Sequence, residues 1–145
     1  MGLNQWCTVE VANAMFGVDV ARVLEVVREA EVERIPLAPA GVRGLVNLRG
    51  QLVCAIDVRY LLGRDESTKG GASAAVVVSV AGETVALCVD RVGDVAMIGE
   101  NERRSTPGGV DEMTAQVSPA VALGEEALIA ELDVDALVAR VGRRR

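Results

Sequence analysis

The strongest structural signal in the chain is VRGLVNLRGQLVCAIDVR, which spans residues Val42–Arg59. Two aliphatic runs, Leu45–Leu48 and Gln51–Ile56, flank the dipeptide Arg49–Gly50. Because glycine adopts positive φ without steric cost, this two-residue link predicts a tight β-hairpin. Asp57 follows the second run, and an aspartate at that position is typical of the N-cap of a short helix. The stretch therefore predicts two paired strands followed by a helical turn.

The residues before this hairpin also predict short strands. Thr8–Ala12 alternates between apolar and polar residues, which indicates a half-buried strand. Ala14–Val18 predicts a second strand, and Asp19 after it is expected to cap a single helical turn. Extended structure is expected to resume at Glu25–Arg28. Ile35–Pro39 should also be extended, because each proline disfavours a helical conformation of the residue before it.

The remaining segments predict turns, a second hairpin and a final helix. Gly41 and Gly44 are expected to bracket a turn ahead of the first hairpin. Farther along, Ala75–Val80 and Glu83–Val89 predict the second hairpin. Two polar stretches, Gly63–Ser73 and Asn101–Met113, predict long loops. Aliphatic residues at helical spacing in Asp133–Val141 predict a final helix capped by Asp133.

Two stretches of the chain recur in the same order. Arg22–Val26 (RVLEV) recurs as Arg91–Val95 (RVGDV), and Leu52–Val58 (LVCAIDV) recurs as Leu128–Val134 (LIAELDV). Repeated supersecondary units usually bury their apolar faces against one another. The repeat, in a chain rich in valine, therefore predicts a mainly β fold of two intertwined small barrels that share one core.

Composition excludes several classes of function. Of the 145 residues 50% are hydrophobic, which suits a packed core, and the net charge of −6 argues against a nucleic-acid-binding surface. No histidine is present, which removes Ser-His-Asp and Cys-His catalysis and histidine-ligated metals. Cys7, Cys54 and Cys88 lack C-x-x-C spacing and are interpreted as buried small hydrophobic residues. We therefore predict no catalytic residue, no metal site and no cofactor.

Neither the start of the chain nor its longest apolar run predicts membrane insertion. The first residues lack the basic and apolar regions of a signal peptide. The longest apolar run, Ala74–Ala81, is far shorter than the roughly 20 residues that span a bilayer. We expect a cytoplasmic protein.

The block Val42–Arg59 resembles the CheW family of bacterial chemotaxis adaptors, together with Phe16–Asp19, Val23–Val26 and Ile35–Pro39. The second half is similar through Val89–Val92 and Leu132–Asp133, although Glu131 stands where a buried residue is expected. The resemblance implies two pseudo-symmetric five-stranded barrels of the Src-homology-3-like kind. It also implies one CheW-like domain over residues 1–145, with subdomains near 14–66 and 74–132, a C-terminal helix at 133–142 and an N-terminal strand packed across them.

The resemblance further implies a non-enzymatic scaffold in chemotaxis or chemotaxis-like signalling. Its expected partners are the regulatory domain of a CheA-type histidine kinase and the cytoplasmic tip of a methyl-accepting chemoreceptor, within membrane receptor arrays. In that family receptors use the groove between the subdomains. Candidate partner-binding residues are Glu25, Val42, Leu45, Asn47, Leu48, Arg49 and Gly50, and the predicted structural caps and turns are Asp19, Gly44, Asp57 and Asp133. Glu25 and Arg49 are predicted to contact each other.

Two other functions are compatible with the residues themselves. One is a regulatory module of another phosphorelay, against which the lack of a histidine phosphoacceptor argues. The other is a small-molecule-binding β-barrel, which a thermal-shift screen would reveal because a ligand that binds only the folded state stabilises it.

Overall fold

The computed structural model describes residues 3–64, 71–106, 112–124 and 127–142. The strands in these ranges are β1 Leu3–Val11, β2 Ala14–Asp19, β3 Val23–Glu33, β4 Val42–Leu48, β5 Gln51–Asp57, β6 Gly71–Val80, β7 Glu83–Val89, β8 Arg91–Gly99, β9 Arg103–Ser105, β10 Ala120–Leu123 and β11 Leu128–Glu131. The helices are α1 Val58–Leu61, α2 Glu112–Val117 and α3 Val134–Val138, and 3₁₀ turns lie at Val20–Arg22 and Glu100–Glu102.

Five strands form a closed barrel in the order β3-β4-β5-β7-β6. Strands β5 and β7 pair in parallel, and the other neighbours pair in antiparallel. The residues that fill the barrel are small, which suits the narrow interior of so few strands. They are Ala30, Val32, Val46, Val53, Ala55, Ala75, Val77, Ala86 and Cys88.

The other six strands form a sheet in the order β8-β1-β2-β11-β10-β9, in which β2 and β11 are parallel. Trp6 on β1 is fully buried on one face of this sheet with Ile98, Ala122 and Ile129. The opposite face packs against the outside of the barrel and forms the largest apolar cluster of the described residues. Because residues of both units contribute to this cluster, the prediction of two β units around one shared core is confirmed.

The strands are divided between the two units differently from the predicted ranges. Hairpin β6–β7 closes the barrel by pairing with β3 and β5, although it was expected in the second subdomain. Strand β2 belongs to the six-stranded sheet, because a two-residue turn at Ala12 and Asn13 folds it back onto β1. Within the described residues this sheet has six strands and its end strands β8 and β9 do not pair with each other, so the second unit is a sheet rather than the expected five-stranded barrel.

Local predictions near the hairpins and caps are confirmed. Arg49 and Gly50 have φ of +53° and +85°, as a two-residue hairpin turn requires. Each predicted aspartate cap accepts a hydrogen bond from a backbone N–H two or three residues ahead: Asp19 from Ala21 at 2.9 Å, Asp57 from Tyr60 at 3.2 Å and Asp133 from Ala136 at 3.1 Å.

Other local predictions are corrected. Gly44 lies within β4 at a β-bulge and not in the predicted turn, and a Cβ at this position would lie 2.1 Å from the carbonyl oxygen of Glu33. Leu37 has φ of +57° and forms a turn between the two prolines, so the expected extended segment is interrupted there. The last helix ends at Val138 and is shorter than the predicted 133–142.

The two predicted loops are partly structured. Strand β6 begins at Gly71, before the expected end of the first loop, and the second contains β9 and the start of α2. Residues 65–70 and 107–111 of these loops lie outside the described part of the chain.

Candidate functional site

The hairpin β4–β5 divides its side chains between the two sides of the barrel wall. Val46 and Val53 pair with each other and point into the barrel. The next pairs along, Leu45 with Cys54 and Asn47 with Leu52, therefore lie on the outer side, because successive side chains of a strand alternate. We call Leu45, Asn47 and Leu52 the hairpin face. Leu52 is 65% exposed, and the sequence analysis did not select it.

Two of the apolar residues selected as partner-binding do not lie on this face. Val42 is only 5% exposed and pairs with Ile56 at the base of the hairpin, so its expected contact with a partner is corrected to a place in the core. Leu48 is half-buried and packs against the barrel interior. A sequence pattern could not distinguish these positions, because the bulge at Gly44 changes the alternation along β4.

The open end of the barrel is bridged by an ion pair. Glu25 on β3 pairs with Val77, which points inward, and Glu25 is thereby directed to the barrel opening. Its Oε2 accepts a hydrogen bond from Nη2 of Arg49 at 2.9 Å, which confirms the predicted contact. The Arg49 side chain is 80% exposed, whereas that of Glu25 is 28% exposed. Leu48, Val53 and Thr84 line the shallow opening of about 270 Å³ beneath the pair.

The turn that carries Arg49 is held in one conformation. Oδ1 of Asn47 accepts a hydrogen bond from the backbone N–H of Gly50 at 2.8 Å, which closes the turn from the side-chain side. Gly50 itself has no neighbour within 4 Å of the position where a Cβ would lie. Asn47 and Gly50 therefore orient the turn, and Arg49 is the residue of the turn that presents charge to solvent.

An exposed ion pair of this kind contributes only about 0.2–1 kcal/mol to folding. We therefore expect Arg49→Ala to change the melting temperature by no more than a few degrees while it reduces the coupling between receptor and kinase that the sequence resemblance predicts. The exchange Glu25→Arg with Arg49→Glu tests the contact itself and should restore most of the coupling. Effects of the two single substitutions that simply add in the double variant would show that the residues act separately.

A second exposed apolar surface lies where the barrel meets the sheet. Val26 pairs with Val76, which belongs to the shared core, so Val26 lies on the outer side of β3 toward the sheet, and the exposed Leu24 precedes it at the β-bulge between Val23 and Glu25. On β8, Val95 pairs with Cys7 of the same core and Met97 lies on the same side, two residues on. Strands β3 and β8 pack against one another. We call Leu24, Val26, Val95 and Met97 the junction stripe.

The junction stripe is unusual because its four large apolar side chains remain exposed, Leu24 by 60% and Met97 by 54%. Strand β8 is also an end strand of its sheet within the described residues. Exposed apolar side chains beside a strand edge are typical of a protein-binding surface. The sequence analysis missed them because both sides of β3 carry aliphatic residues near Leu24, and alternation therefore gives no contrast.

The described residues offer little chemistry beyond binding. Burial raises the pKa of the Cys7, Cys54 and Cys88 thiols, which keeps them protonated rather than nucleophilic thiolates near neutral pH. No cluster of three or more Cys, Asp or Glu side chains with metal-binding geometry occurs among the residues described. In the same part of the chain, no helix has the length and apolarity needed to cross a bilayer.

The chain is similar to known proteins over most of its length. The family model described as the CheW-like domain matches residues 5–142. Chemotaxis protein CheW of Treponema pallidum is 25% identical over 138 residues, covering 92% of this chain and 81% of the relative. Chemotaxis protein CheW of Klebsiella aerogenes is 29% identical over 129 residues, covering 88% of this chain and 77% of that protein.

The fold is also shared with a solved structure. The crystal structure of the scaffolding protein TtCheW from Thermoanaerobacter tengcongensis superposes with a TM-score of 0.80 at 26% sequence identity. The match covers 94% of this chain and 92% of that one. The family and the names of these relatives support a scaffold role in chemotaxis, and the chain belongs to the CheW-like domain family.

Proposed function

We propose that this protein couples chemoreceptors to a CheA-type histidine kinase and has no catalytic turnover of its own. The observation that carries the proposal is the presence of two separate exposed surfaces, the junction stripe and the hairpin face. A coupling protein needs at least two surfaces so that it can hold two partners at once. The proposed location is at receptor arrays, where both partners would be held together.

The junction stripe is the proposed contact for the cytoplasmic tip of the receptor. Leu24 and Val26 come from the barrel and Val95 and Met97 from the sheet, so a partner seated there would contact both units. An amphipathic helical tip suits such a surface, because aliphatic side chains at helical spacing can pack between two rows of exposed apolar residues. Met97 adds an adaptable side chain that tolerates variation in the partner.

The hairpin face, together with Arg49 at its tip, is the proposed contact for the regulatory domain of the kinase. Leu45 and Leu52 offer apolar area on the outer side of the barrel wall, and Asn47 lies between them. The charge of Arg49 is fixed in direction by Glu25. Apolar packing would therefore provide affinity there, and the oriented charge would favour one docking geometry.

Two matched substitutions test the assignment of the two surfaces. Met97→Asp and Leu52→Asp each place a carboxylate at an exposed apolar side chain of similar exposure, so both variants should fold. We expect Met97→Asp to weaken binding of a purified receptor cytoplasmic fragment by about tenfold and to leave kinase regulatory-domain binding unchanged. Leu52→Asp should do the reverse. Calorimetry with each partner separately gives the two dissociation constants.

The same variants test coupling in a reconstituted mixture of receptor fragment, kinase and this protein. Wild-type protein should raise receptor-dependent kinase autophosphorylation, and each variant should reduce it. The purified protein alone should hydrolyse no ATP. Equal loss of both partners in both variants would contradict two separate surfaces, and ATP hydrolysis by the pure protein would contradict a purely scaffolding role.

A further inference from the structure

In the described residues the chain passes between the two units at two places. The first crossing is the 3₁₀ turn Val20–Arg22, which leads from β2 of the sheet to β3 of the barrel. The second crossing is Asp90, which leads from β7 of the barrel to β8 of the sheet. Each strand that carries the junction stripe, β3 or β8, therefore begins immediately after a crossing.

An arginine holds the first crossing to both units. The Arg22 guanidinium donates to both carboxylate oxygens of Asp135 on α3, with Nη1–Oδ2 at 3.0 Å and Nη2–Oδ1 at 2.7 Å. Nη2 also donates to the backbone carbonyl of Ser79 in the barrel, at 2.9 Å. This fork geometry fixes direction as well as distance. The Arg22 guanidinium lowers the pKa of the Asp135 carboxyl, in agreement with that contact.

An aspartate holds the second crossing in the same way. Oδ2 of Asp90 accepts a hydrogen bond from Nη1 of Arg59 on α1 at 2.8 Å. The same oxygen accepts one from the backbone N–H of Ala12, at 2.8 Å, in the turn between β1 and β2. Asp90 therefore joins the helix that follows the barrel strand β5 to a turn of the sheet.

The two contacts occupy equivalent places in the internal repeat. In each unit the strand that leads to the crossing pairs in parallel with the strand that leads to the helix: β2 with β11, and β7 with β5. Parallel pairing places the crossing beside the first turn of the helix. Asp135 and Arg59 both lie two residues after the capping aspartate, Asp133 or Asp57. The two ion pairs are thus counterparts, but their charges are opposite in sign.

We infer that the pairs Arg22–Asp135 and Arg59–Asp90 are two clamps that set the angle between the barrel and the sheet. Opposite polarity makes each helix specific for its own crossing, since the exchanged arrangement would place Arg22 beside Arg59 and Asp90 beside Asp135. Because β3 and β8 start at the clamped crossings, the clamps also position the two sides of the junction stripe. Only the role of the clamps in positioning the junction stripe for a receptor rests on the proposed function.

Two native cysteines allow the clamps to be tested in the intact chain. Cys7 is buried in the shared core between the units, and Cys88 is buried inside the barrel. Opening at the junction exposes Cys7 but leaves Cys88 protected, so the ratio of their labelling rates separates junction opening from barrel unfolding. The rates are measured by reaction with a small thiol reagent and mass spectrometry of the labelled peptides.

Asp135→Arg replaces attraction by repulsion at the first clamp on an exposed side chain. We expect labelling of Cys7 to accelerate about fivefold, with Cys88 unchanged. Adding Arg22→Asp should reverse most of this acceleration, because attraction returns with the charges exchanged. Asp135→Asn and Glu131→Gln form a matched pair, because each neutralises one carboxylate of an ion pair. Glu131→Gln breaks the ion pair of Glu131 with Arg103, which lies within the sheet, and should leave Cys7 labelling unchanged.

Several results would overturn the clamps. Unchanged Cys7 labelling in Asp135→Arg would do so, as would acceleration that Arg22→Asp fails to reverse, or equal acceleration in Glu131→Gln. Binding of the receptor fragment is measured on the same samples as a separate result. Faster Cys7 labelling with unaltered receptor binding would support the clamps and reject the junction stripe as the receptor site.

Discussion

Replacement of Gly44 by alanine is expected to lower the free energy of unfolding by about 3 kcal/mol or more. A Cβ at this position would lie 2.1 Å from the carbonyl oxygen of Glu33 and 2.8 Å from Cγ1 of Val32. The first contact is with backbone, so it cannot be relieved by rotation of a side chain. Relief would require β3 and β4 to separate, and that pair closes the barrel. Urea denaturation followed by circular dichroism measures the loss.

Gly50→Ala is the matched control for this substitution. Gly50 lies in the same hairpin and also has positive φ, but a Cβ there would meet no atom within 4 Å. Only the conformational cost of a left-handed alanine remains, about 1–2 kcal/mol. If Gly44→Ala proved no more destabilising than Gly50→Ala, the close approach of β3 to the bulge would not be the reason for glycine at position 44.

Gly17→Ala is expected to destabilise the sheet by about 2–3 kcal/mol. The Cβ would lie 2.5 Å from Cε3 and 2.9 Å from Cβ of Trp6 on the neighbouring strand. Trp6 is fully buried and cannot swing away without opening its cluster. Since Trp6 is the single tryptophan of the chain, its fluorescence reports both the unfolding midpoint and any displacement of the ring in the folded state.

A second substitution distinguishes overpacking from a general effect of alanine on β2. Trp6→Leu removes the ring atoms that approach the new Cβ most closely but keeps the Cβ of residue 6, so Gly17→Ala should cost less in that background. The two substitutions should therefore be strongly non-additive in a double-mutant cycle, which circular dichroism can follow without tryptophan. Additive losses would contradict a direct clash between the two positions.

Most of the correct local predictions depended on contacts between residues that are close together in the chain. Asp19, Asp57 and Asp133 could be identified as caps because the atoms that they satisfy lie two or three residues away. The turn at Arg49–Gly50 could be predicted for the same reason, since a two-residue hairpin depends on local φ values. The contact of Glu25 with Arg49 is different, because resemblance to a family suggested it and local chemistry did not.

Assignment of strands to the two units could not be derived in this way. The hairpin β6–β7 is locally compatible with either unit, and its place in the barrel depends on pairing with β3 and β5, which are distant in sequence. The same limit applies to Val42, which the sequence suggested as a surface contact although the residue is buried in the core. The bulge that directs it inward forms only when β4 pairs with β5.

Residue types and short-range spacing were sufficient to predict a mainly β, duplicated chain with capped turns and without histidine chemistry. Those properties follow from residue types and from contacts within a few positions along the chain. Tertiary structure alone decided which apolar residues remain exposed at the junction of the two units, and which charges meet at the two crossings. Strands β3 and β8 come together, as do Arg22 and Asp135, only when both units have closed around their shared core, because each contact joins parts of the chain that are distant in sequence.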